Sequence, residues 1–224
     1  MNLSQPYYIE PRRGENHLCL DGLWDFGYAP DQVPLQDVPY TMQAKVPGSV
    51  FWSLYEAGKM PNPYVSMNNK QFGWVDDQVW YYRKRFSMEG KKISGKAILC
   101  FDGACYFTRV WLNGTLLGEH EGMFGGPFCE VSALLKEEGE NELVAEVRAC
   151  NYKNPLFTPR NEHKEIPYPI IPWNLMREDS CLDGDFNVIG LWRGVRIELL
   201  QDTHLSRPYL YTQSIADDRA KLHF

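Results

Sequence analysis

The chain has 224 residues and a formal net charge of −6, and 44% of its residues are hydrophobic. This composition is typical of a globular protein with a buried core. The negative charge argues against nucleic acid or an anionic membrane surface as the main partner, and no apolar run approaches the roughly 20 residues that cross a bilayer. We therefore expect neither a nucleic-acid partner nor a membrane partner.

The first predicted element is a short helix. Ser49 is a suitable N-cap, the segment VFWSLYEA continues the helix, Gly58 ends it and Pro61 prevents its continuation. A shorter helical turn is expected at VSALLKEEG, residues 131–139. No other segment has a convincing helical pattern.

Strand patterns dominate the rest of the chain. In the run at 141–149, apolar residues at 143, 145 and 147 alternate with charged residues at 142, 146 and 148. This alternation is typical of antiparallel strands with one buried face and one face in solvent. Runs rich in β-branched and aromatic residues lie at 79–86, 96–103, 105–112, 141–149 and 191–200.

A tight hairpin is predicted at Asn113-Gly114, because both residues can take the positive φ that a two-residue turn requires. Asn113-Gly114-Thr115 is also an N-glycosylation sequon, but the turn explains these residues better. Many short strands with few helices predict an all-β fold, either a β-sandwich or a jelly roll.

Residues 151–184 differ from the rest, with five prolines and no sustained alternation. They predict an irregular loop, and loops longer than about 12–15 residues are usually functional or disordered. This loop is too rich in aromatic residues for a disordered segment, so we expect an ordered loop near a binding surface. The chain ends inside a strand-like run, residues 220–224, for which no partner strand follows. We therefore expect a truncation just inside a second domain.

The cysteines and the opening sequence bear on the compartment. The segment MNLSQPYYIEPRRGENHL lacks the apolar region of a signal peptide, and the six cysteines form no Cys-x-x-Cys motif. If Asp102-Gly103 formed a hairpin, Cys100 and Cys105 would face each other and could bridge. We interpret the six as free thiols, which favours a reducing, cytoplasmic compartment.

Six blocks of the sequence follow one another in this order: LDGLWDF (20–26), VPGSVFWSLYEAGKMPNPY (46–64), GWVDDQVWYYRKRF (73–86), VWLNGTLLGEHEGMFGGPFCEV (110–131), GENELVAEVR (139–148) and GLWRGVRIELL (190–200). Together they resemble the N-terminal sugar-binding domain of family 2 glycoside hydrolases, the group of β-galactosidases, β-glucuronidases and β-mannosidases. The stretch at 62–86 is most similar to the β-mannosidase and exo-glucosaminidase branch, whereas DGDFNVIGLWR (183–193) is closer to the β-glucuronidase and β-galactosidase pattern.

The resemblance implies a galactose-binding-like jelly-roll β-sandwich over residues 1–203, with one short helix and the long Pro/aromatic-rich loop. Residues 204–224 would then begin a truncated immunoglobulin-like domain. The two glutamates of a retaining mechanism would lie in a TIM barrel outside this chain, since such a barrel takes about 250 residues. We expect no cofactor and no metal, and as partners a non-reducing-end β-linked sugar and the remaining domains of the same polypeptide.

The resemblance also implies a substrate contact at the end of the long loop. In enzymes of this family an Asp here reaches into the active site, and Asp185 matches it, with Asn187 beside it. Because the spacing to Gly190 is shorter than in some relatives, Asp183 could take this role instead. The alternative interpretation is an Asp-Gly turn that leads into a strand.

Glu119, His120 and Glu121 form a charged cluster, but adjacent strand positions point to opposite faces and cannot converge on one ion. His163 could in principle join them, yet we favour a polar corner. The segments 66–70 and 76–77 could hydrogen-bond to sugar hydroxyls, with ordinary loop chemistry as the preferred alternative.

Among the aromatic residues, Trp74 and Trp80 could stack on a sugar, although burial in the core is the preferred interpretation. Trp192 and Arg193 are interpreted as structural residues that anchor the last strand. Three functions remain open for the whole chain: a non-catalytic domain at the active-site rim of a glycosidase, a free-standing carbohydrate-binding module, and a purely structural domain.

Overall fold

The strands of the computed structural model, which describes residues 16–149, 189–201, 203 and 210–223, pair antiparallel throughout. All five predicted strand runs are confirmed. The strands are β1 (His17–Cys19), β2 (Gly22–Ala29), β3 (Met42–Val46), β4 (Val79–Phe86), β5 (Lys96–Phe101), β6 (Phe107–Leu112), β7 (Thr115–Glu121), β8 (Phe128–Glu130), β9 (Asn141–Arg148), β10 (Val195–Leu200), β11 (Tyr211–Ala216) and β12 (Arg219–His223).

Two sheets share one hydrophobic core. The four-stranded sheet has the order β1-β10-β5-β8 and the six-stranded sheet the order β3-β2-β4-β9-β6-β7. Leu99 and Ile197 from the first sheet lie in the same buried cluster as Trp80 and Leu143 from the second. The predicted all-β sandwich is therefore confirmed, while its jelly-roll connectivity stays a prediction.

The outer face of the six-stranded sheet is partly covered. Leu143, Ala145 and Val147 face the core as the alternation predicted, but the expectation that Glu146 faces solvent is wrong. The segment 33–40 lies over this face and forms a second apolar cluster with residues of the sheet that include Val144. The covering segment has no periodic pattern of its own, so the sequence did not indicate it.

The predicted helix is α1 (Val50–Glu56). Ser49 is its N-cap residue but forms no capping hydrogen bond through its side chain in the described structure, while its carbonyl accepts a hydrogen bond from Ser53 N at 3.0 Å. Gly58 follows the helix with φ +67°. At 131–139 the structure has one helical turn, in which Leu135 N donates to Val131 O at 3.1 Å. Two 3₁₀ segments, Leu35–Asp37 and Asn68–Asp77, were not predicted.

Asn113 and Gly114 have φ values of 50° and 81°, and they join β6 to β7 in a two-residue turn, as predicted. Asp102-Gly103 does not form a hairpin, because β5 and β6 belong to different sheets and this segment crosses between them. Cys100 and Cys105 do not form a disulfide, and neither do the other described cysteines, Cys19 and Cys129. Burial raises the pKa of Cys100 to about 12.

Strands β11 and β12 form a two-stranded sheet of their own. The strand-like run at the end of the sequence is therefore a strand, and its partner precedes it in the chain instead of following it. Every residue of both strands is exposed. Where one domain ends and another begins stays a prediction. Among the described residues, no helix is both long and apolar enough to cross a lipid bilayer.

Candidate functional site

The predicted substrate contacts Asp183, Asp185 and Asn187 lie outside the described residues, as do His163 and the long loop at 151–184. The described chain resumes at Ile189, two residues after Asn187. Residues 189–191, which we call the junction, are the described residues nearest in sequence to these predicted contacts, and the residues around the junction form the candidate site.

Backbone hydrogen bonds hold the junction from two sides. Gly48 N donates to Leu191 O at 2.9 Å, and Val50 N donates to Ile189 O at 2.8 Å. Cys105 and Gly190 exchange two hydrogen bonds, each 2.9 Å long. Residues 189–191 are thus fixed against both the start of α1 and the crossing between the sheets.

Gly190 occupies a position that only glycine fits. Its φ is +142°, and an added Cβ would lie 2.9 Å from Gly48 O, 3.0 Å from Ser49 Cα and 3.0 Å from Tyr82 Oη. L-residues with side chains rarely adopt this backbone conformation, and the two contacts with backbone atoms leave no room for adjustment. The close approach of three chain segments explains the glycine before the Leu-Trp-Arg sequence.

Trp192 and Arg193 pack against the connection between β7 and β8. Trp192 Nε1 donates to Met123 O at 2.6 Å, and the ring packs edge-on against Phe124 at 5.6 Å between centroids. The Arg193 guanidinium carbon lies 4.3 Å from the Trp192 ring centroid. These contacts support the structural interpretation of both residues, and they leave Phe124, 55% exposed, beside the junction.

Asp102 and Glu198 are two acids close to the junction, and both hydrogen-bond to Arg196. Burial alone would lower the pKa of Arg196, but its bonds to the two carboxylates outweigh burial and raise it. The guanidinium therefore stays charged and is shared by two carboxylates. Two acids that accept hydrogen bonds from one buried cation form a structural ion-pair network.

Glu119, His120 and Glu121 all lie in β7 and do not converge. Glu119 lies opposite Arg109 with 3.1 Å between Oε1 and Nε, whereas His120 lies opposite Thr108 on the other face of the sheet. Burial lowers the pKa of His120, against a smaller raising effect of its hydrogen bond to the Phe124 backbone. The described residues contain no group of three or more His, Cys, Asp or Glu that could hold a metal ion.

The polar residues at 66–70 and 76–77 fall within and just before the 3₁₀ segment Asn68–Asp77. Asn68 Nδ2 donates to Asn62 O at 3.0 Å, which is a local bond that stabilises the loop. Trp80 is fully buried, which confirms the preferred interpretation for this residue. Trp74 is half-buried and packs against Trp80, with 5.8 Å between the ring centroids. Contact between these segments and a sugar stays untested.

Glu146 is a polar residue that the sequence analysis placed in solvent. It is 2% exposed, and its Oε1 accepts a hydrogen bond from Gln32 Nε2 at 2.7 Å. Arg109 and Arg148 approach the same carboxylate at 3.9 Å and 3.4 Å. Arg109 lies directly opposite Glu146 on the neighbouring strand, and the opposite charges of these two residues could have suggested that they pair. The burial of Glu146 could not be predicted in this way, because the segment that covers it is distant in sequence.

Two curated β-mannosidases match this chain over nearly its whole length. Beta-mannosidase B of Thermothelomyces thermophilus is 33% identical over an alignment that covers 90% of this chain and 24% of the relative. Beta-mannosidase B of Aspergillus terreus is 27% identical, with 87% of this chain and 22% of the relative covered. The chain thus spans about a quarter of the length of the relatives that it matches.

Solved structures agree with this result. The crystal structure of β-D-mannosidase from Dictyoglomus thermophilum matches with a TM-score of 0.70 and 26% identity, over 92% of this chain and 25% of that chain. A β-glucuronidase from Ruminococcus gnavus shares the fold, with a TM-score of 0.55 and 20% identity over 86% of this chain and 31% of that chain. Residues 24–181 match the family model described as glycosyl hydrolase 2 galactose-binding domain-like. Since this match covers well over half of the sequence, the chain belongs to the galactose-binding-like domain family of the family 2 glycosyl hydrolases.

Proposed function

We propose that this chain is the non-catalytic sugar-binding domain of a retaining exo-β-glycosidase that acts on β-mannosides. One observation carries the proposal: the chain matches β-mannosidases over about nine-tenths of its own length but only a quarter of theirs. The matched part is a galactose-binding-like domain. The hydrolysis itself would take place in the part of the relatives that this chain does not cover.

The chemistry of retaining hydrolysis supports this division. It needs an acid/base and a nucleophile about 5–5.5 Å apart on either side of the glycosidic bond, with one carboxyl group protonated. Near the junction of the long loop, Asp102 and Glu198 are both engaged by Arg196. Both carboxylates accept hydrogen bonds from one guanidinium, which is the arrangement of a structural ion-pair network.

The domain would contribute to the rim of the active site through Asp185, with Asn187 beside it and Asp183 as the alternative. Carboxylate and amide groups can each form two hydrogen bonds to neighbouring sugar hydroxyls. The backbone bonds of residues 189–191 to Gly48, Val50 and Cys105 would hold the base of this loop in place. A fixed support limits the loss of conformational entropy on binding. The same domain would dock against the remaining domains of the polypeptide.

The first experiment incubates the purified 224-residue chain with chromogenic β-mannoside, β-galactoside and β-glucuronide. We expect no turnover of any of the three. Turnover that co-purifies with the chain would contradict a non-catalytic role. A relative that contains all its domains, assayed in parallel, establishes that the substrates and conditions support hydrolysis.

The second experiment places Asp183→Ala, Asp185→Ala and Asn187→Ala in the full-length enzyme. We expect at least one of them to lower kcat/KM for the β-mannoside by about tenfold or more, since a substrate contact made in the transition state is lost. Asp31→Ala, at an exposed loop position, is the matched control and should leave kcat/KM unchanged. If all three variants match the control, the domain is a structural support that does not contact the substrate.

A further inference from the structure

The sequence contains a single Asn-Gly dipeptide, Asn113-Gly114, and it forms the two-residue turn between β6 and β7. In this dipeptide the backbone nitrogen of the second residue can approach the side-chain amide of the first, because glycine has no Cβ to obstruct it. The residues that suit the turn are therefore also the residues that suit an internal reaction of the chain, the deamidation of asparagine.

Deamidation is an attack by the backbone on the neighbouring side chain. Gly114 N gives up its proton and forms a bond to Asn113 Cγ, the bond between Cγ and Nδ2 breaks, and Nδ2 leaves with that proton as ammonia. Water then opens the resulting five-membered imide at either of its two carbonyl carbons, which leaves aspartate or isoaspartate at position 113. The reaction consumes only water and transfers no electrons, so the chain and its solvent supply everything it needs.

The folded chain directs the carboxamide of Asn113 away from the turn. Its Nδ2 donates to Leu134 O at 2.8 Å and to Asn141 Oδ1 at 2.9 Å, and its Oδ1 accepts from Glu142 N at 3.0 Å. Rotation of Cγ toward Gly114 N breaks these three bonds. Three hydrogen bonds of ordinary net strength correspond to a factor of about 100 in an equilibrium constant, so the folded chain should react about 100-fold more slowly than the unfolded chain.

The aspartate product does not fit the folded turn. An ionised aspartate only accepts hydrogen bonds, whereas Leu134 O and Asn141 Oδ1 both require a donor at this position. Asn141 cannot turn its amide round to supply that donor, because its Oδ1 accepts from Lys136 N and its Nδ2 donates to Lys136 O, each at 2.9 Å. The new carboxylate therefore faces two oxygen atoms with no proton to share.

The isoaspartate product disturbs the backbone instead. Its main chain passes through Cβ, which adds one carbon atom inside a two-residue turn that pairs Leu112 with Thr115. The backbone N–H of residue 113 also donates to Glu142 O at 2.8 Å, which ties the turn to β9. The geometry of a two-residue turn is set by its length, so the added atom disrupts the connection between the three strands.

We propose that Asn113-Gly114 is a deamidation site that is closed in the folded chain and open in the unfolded chain, and that its modification prevents refolding. Folding and deamidation compete for the same side-chain amide. A chain that remains unfolded therefore loses the ability to fold, whereas a folded chain keeps it. This inference concerns the turn alone and is independent of the proposed function.

The test keeps the 224-residue chain for increasing times in a mildly alkaline buffer, with and without guanidinium chloride, and then transfers it to native buffer. Mass spectrometry of the peptide that contains residue 113 measures the fraction converted to aspartate and isoaspartate, and tryptophan fluorescence measures the fraction that refolds. We expect the products to accumulate about 100-fold faster in the denaturant. The refolded fraction should fall in step with their accumulation.

Asn113→Gly is the matched control, since it has no amide to lose and tolerates the positive φ of this position. It should refold to the same extent after every incubation time. Asn113→Asp contains one of the products from the start, and its midpoint of unfolding should lie at a lower denaturant concentration than that of Asn113→Gly. An equal or higher midpoint would contradict the account of the aspartate product.

The wild-type chain decides the proposal even if Asn113→Gly does not fold. Equal rates of product formation with and without denaturant would overturn the protection by the fold. A refolded fraction that stays constant while the products accumulate would overturn the block to refolding. If Asn113→Gly does fold and its refolding declines in parallel with that of the wild type, the loss has another cause and the link to this site is wrong.

Discussion

Asn113 Nδ2 lies 2.9 Å from Asn141 Oδ1, and this hydrogen bond connects the turn between β6 and β7 to the first residue of β9. Asn113 Nδ2 also donates to Leu134 O at 2.8 Å, and Asn113 Oδ1 accepts from Glu142 N at 3.0 Å. Both the donor and the acceptor of this side-chain amide are therefore used inside the fold. Asn141 itself is fully buried.

The sequon at Asn113 should remain unmodified, because its amide nitrogen is engaged by two acceptors in the folded chain. We expect no glycan at this position when the chain is expressed through a eukaryotic secretory pathway. The measurement is the mass of the Asn113 peptide before and after treatment with an N-glycosidase. The sequence has a further sequon at Asn2, so the experiment uses Asn2→Gln. A glycan on Asn113 would show that the residue is glycosylated before the turn folds.

Asn113 should also contribute strongly to stability. Asn113→Ala removes three side-chain hydrogen bonds, each worth about 1 kcal/mol. It also leaves alanine at φ 50°, a backbone conformation that alanine tolerates less well than asparagine. Asn113→Gly removes the same bonds but tolerates the positive φ, so it should lose about 1 kcal/mol less than the alanine variant. Urea unfolding followed by tryptophan fluorescence measures both. Equal losses would mean that the backbone conformation carries no cost.

Gly190→Ala should destabilise the chain by about 2–4 kcal/mol, since it combines a strained φ with a collision against the backbone of Gly48 and Ser49. The matched control is Gly73→Ala. An added Cβ there meets no atom within 4 Å, and the change should stay within about 0.5 kcal/mol. Equilibrium unfolding in urea compares the two. A loss no greater than that of the control would show that the junction at 189–191 adjusts easily.

The sequence predicted much of this fold because its strands follow local rules. Alternating residues in β9 indicated the core face, and Asn113-Gly114 indicated its turn, since both depend on neighbours a few positions away. The pairing partner of a strand depends on distant residues, so the sequence alone left open whether Asp102-Gly103 forms a hairpin. The 3₁₀ segment Asn68–Asp77 was missed because it shows no helical alternation of apolar residues.

The candidate sites were less predictable than the fold. The glycine before Leu-Trp-Arg is required by Gly48, Ser49 and Tyr82, which come from other parts of the chain. Glu146 is buried beneath the segment that begins at Gln32 and lies over the sheet. A charged residue at an alternating strand position predicts a face exposed to solvent unless a covering segment is known. The segment that covers Glu146 has no regular pattern, so it could not be recognised in the sequence.

His120 should make the stability of the chain depend on pH. Its Nε2 is buried without a hydrogen-bond partner among the described residues, and burial lowers its pKa below the ordinary 6.5. The folded state therefore prefers the neutral imidazole, while the unfolded state binds a proton near pH 6.5. As the pH falls through that value, the unfolded state gains protons first, and the free energy of unfolding decreases. The contribution is fully present above pH 6.5.

Urea titrations between about pH 7.5 and pH 5 measure this dependence. His120→Gln cannot be protonated, so its free energy of unfolding should fall less over this range than that of the wild type. His223→Gln, at an exposed position of β12, controls for the removal of a histidine elsewhere. Parallel losses in the wild type and His120→Gln would mean that the imidazole is protonated equally in the folded and unfolded chain, and that its partial burial carries no electrostatic cost.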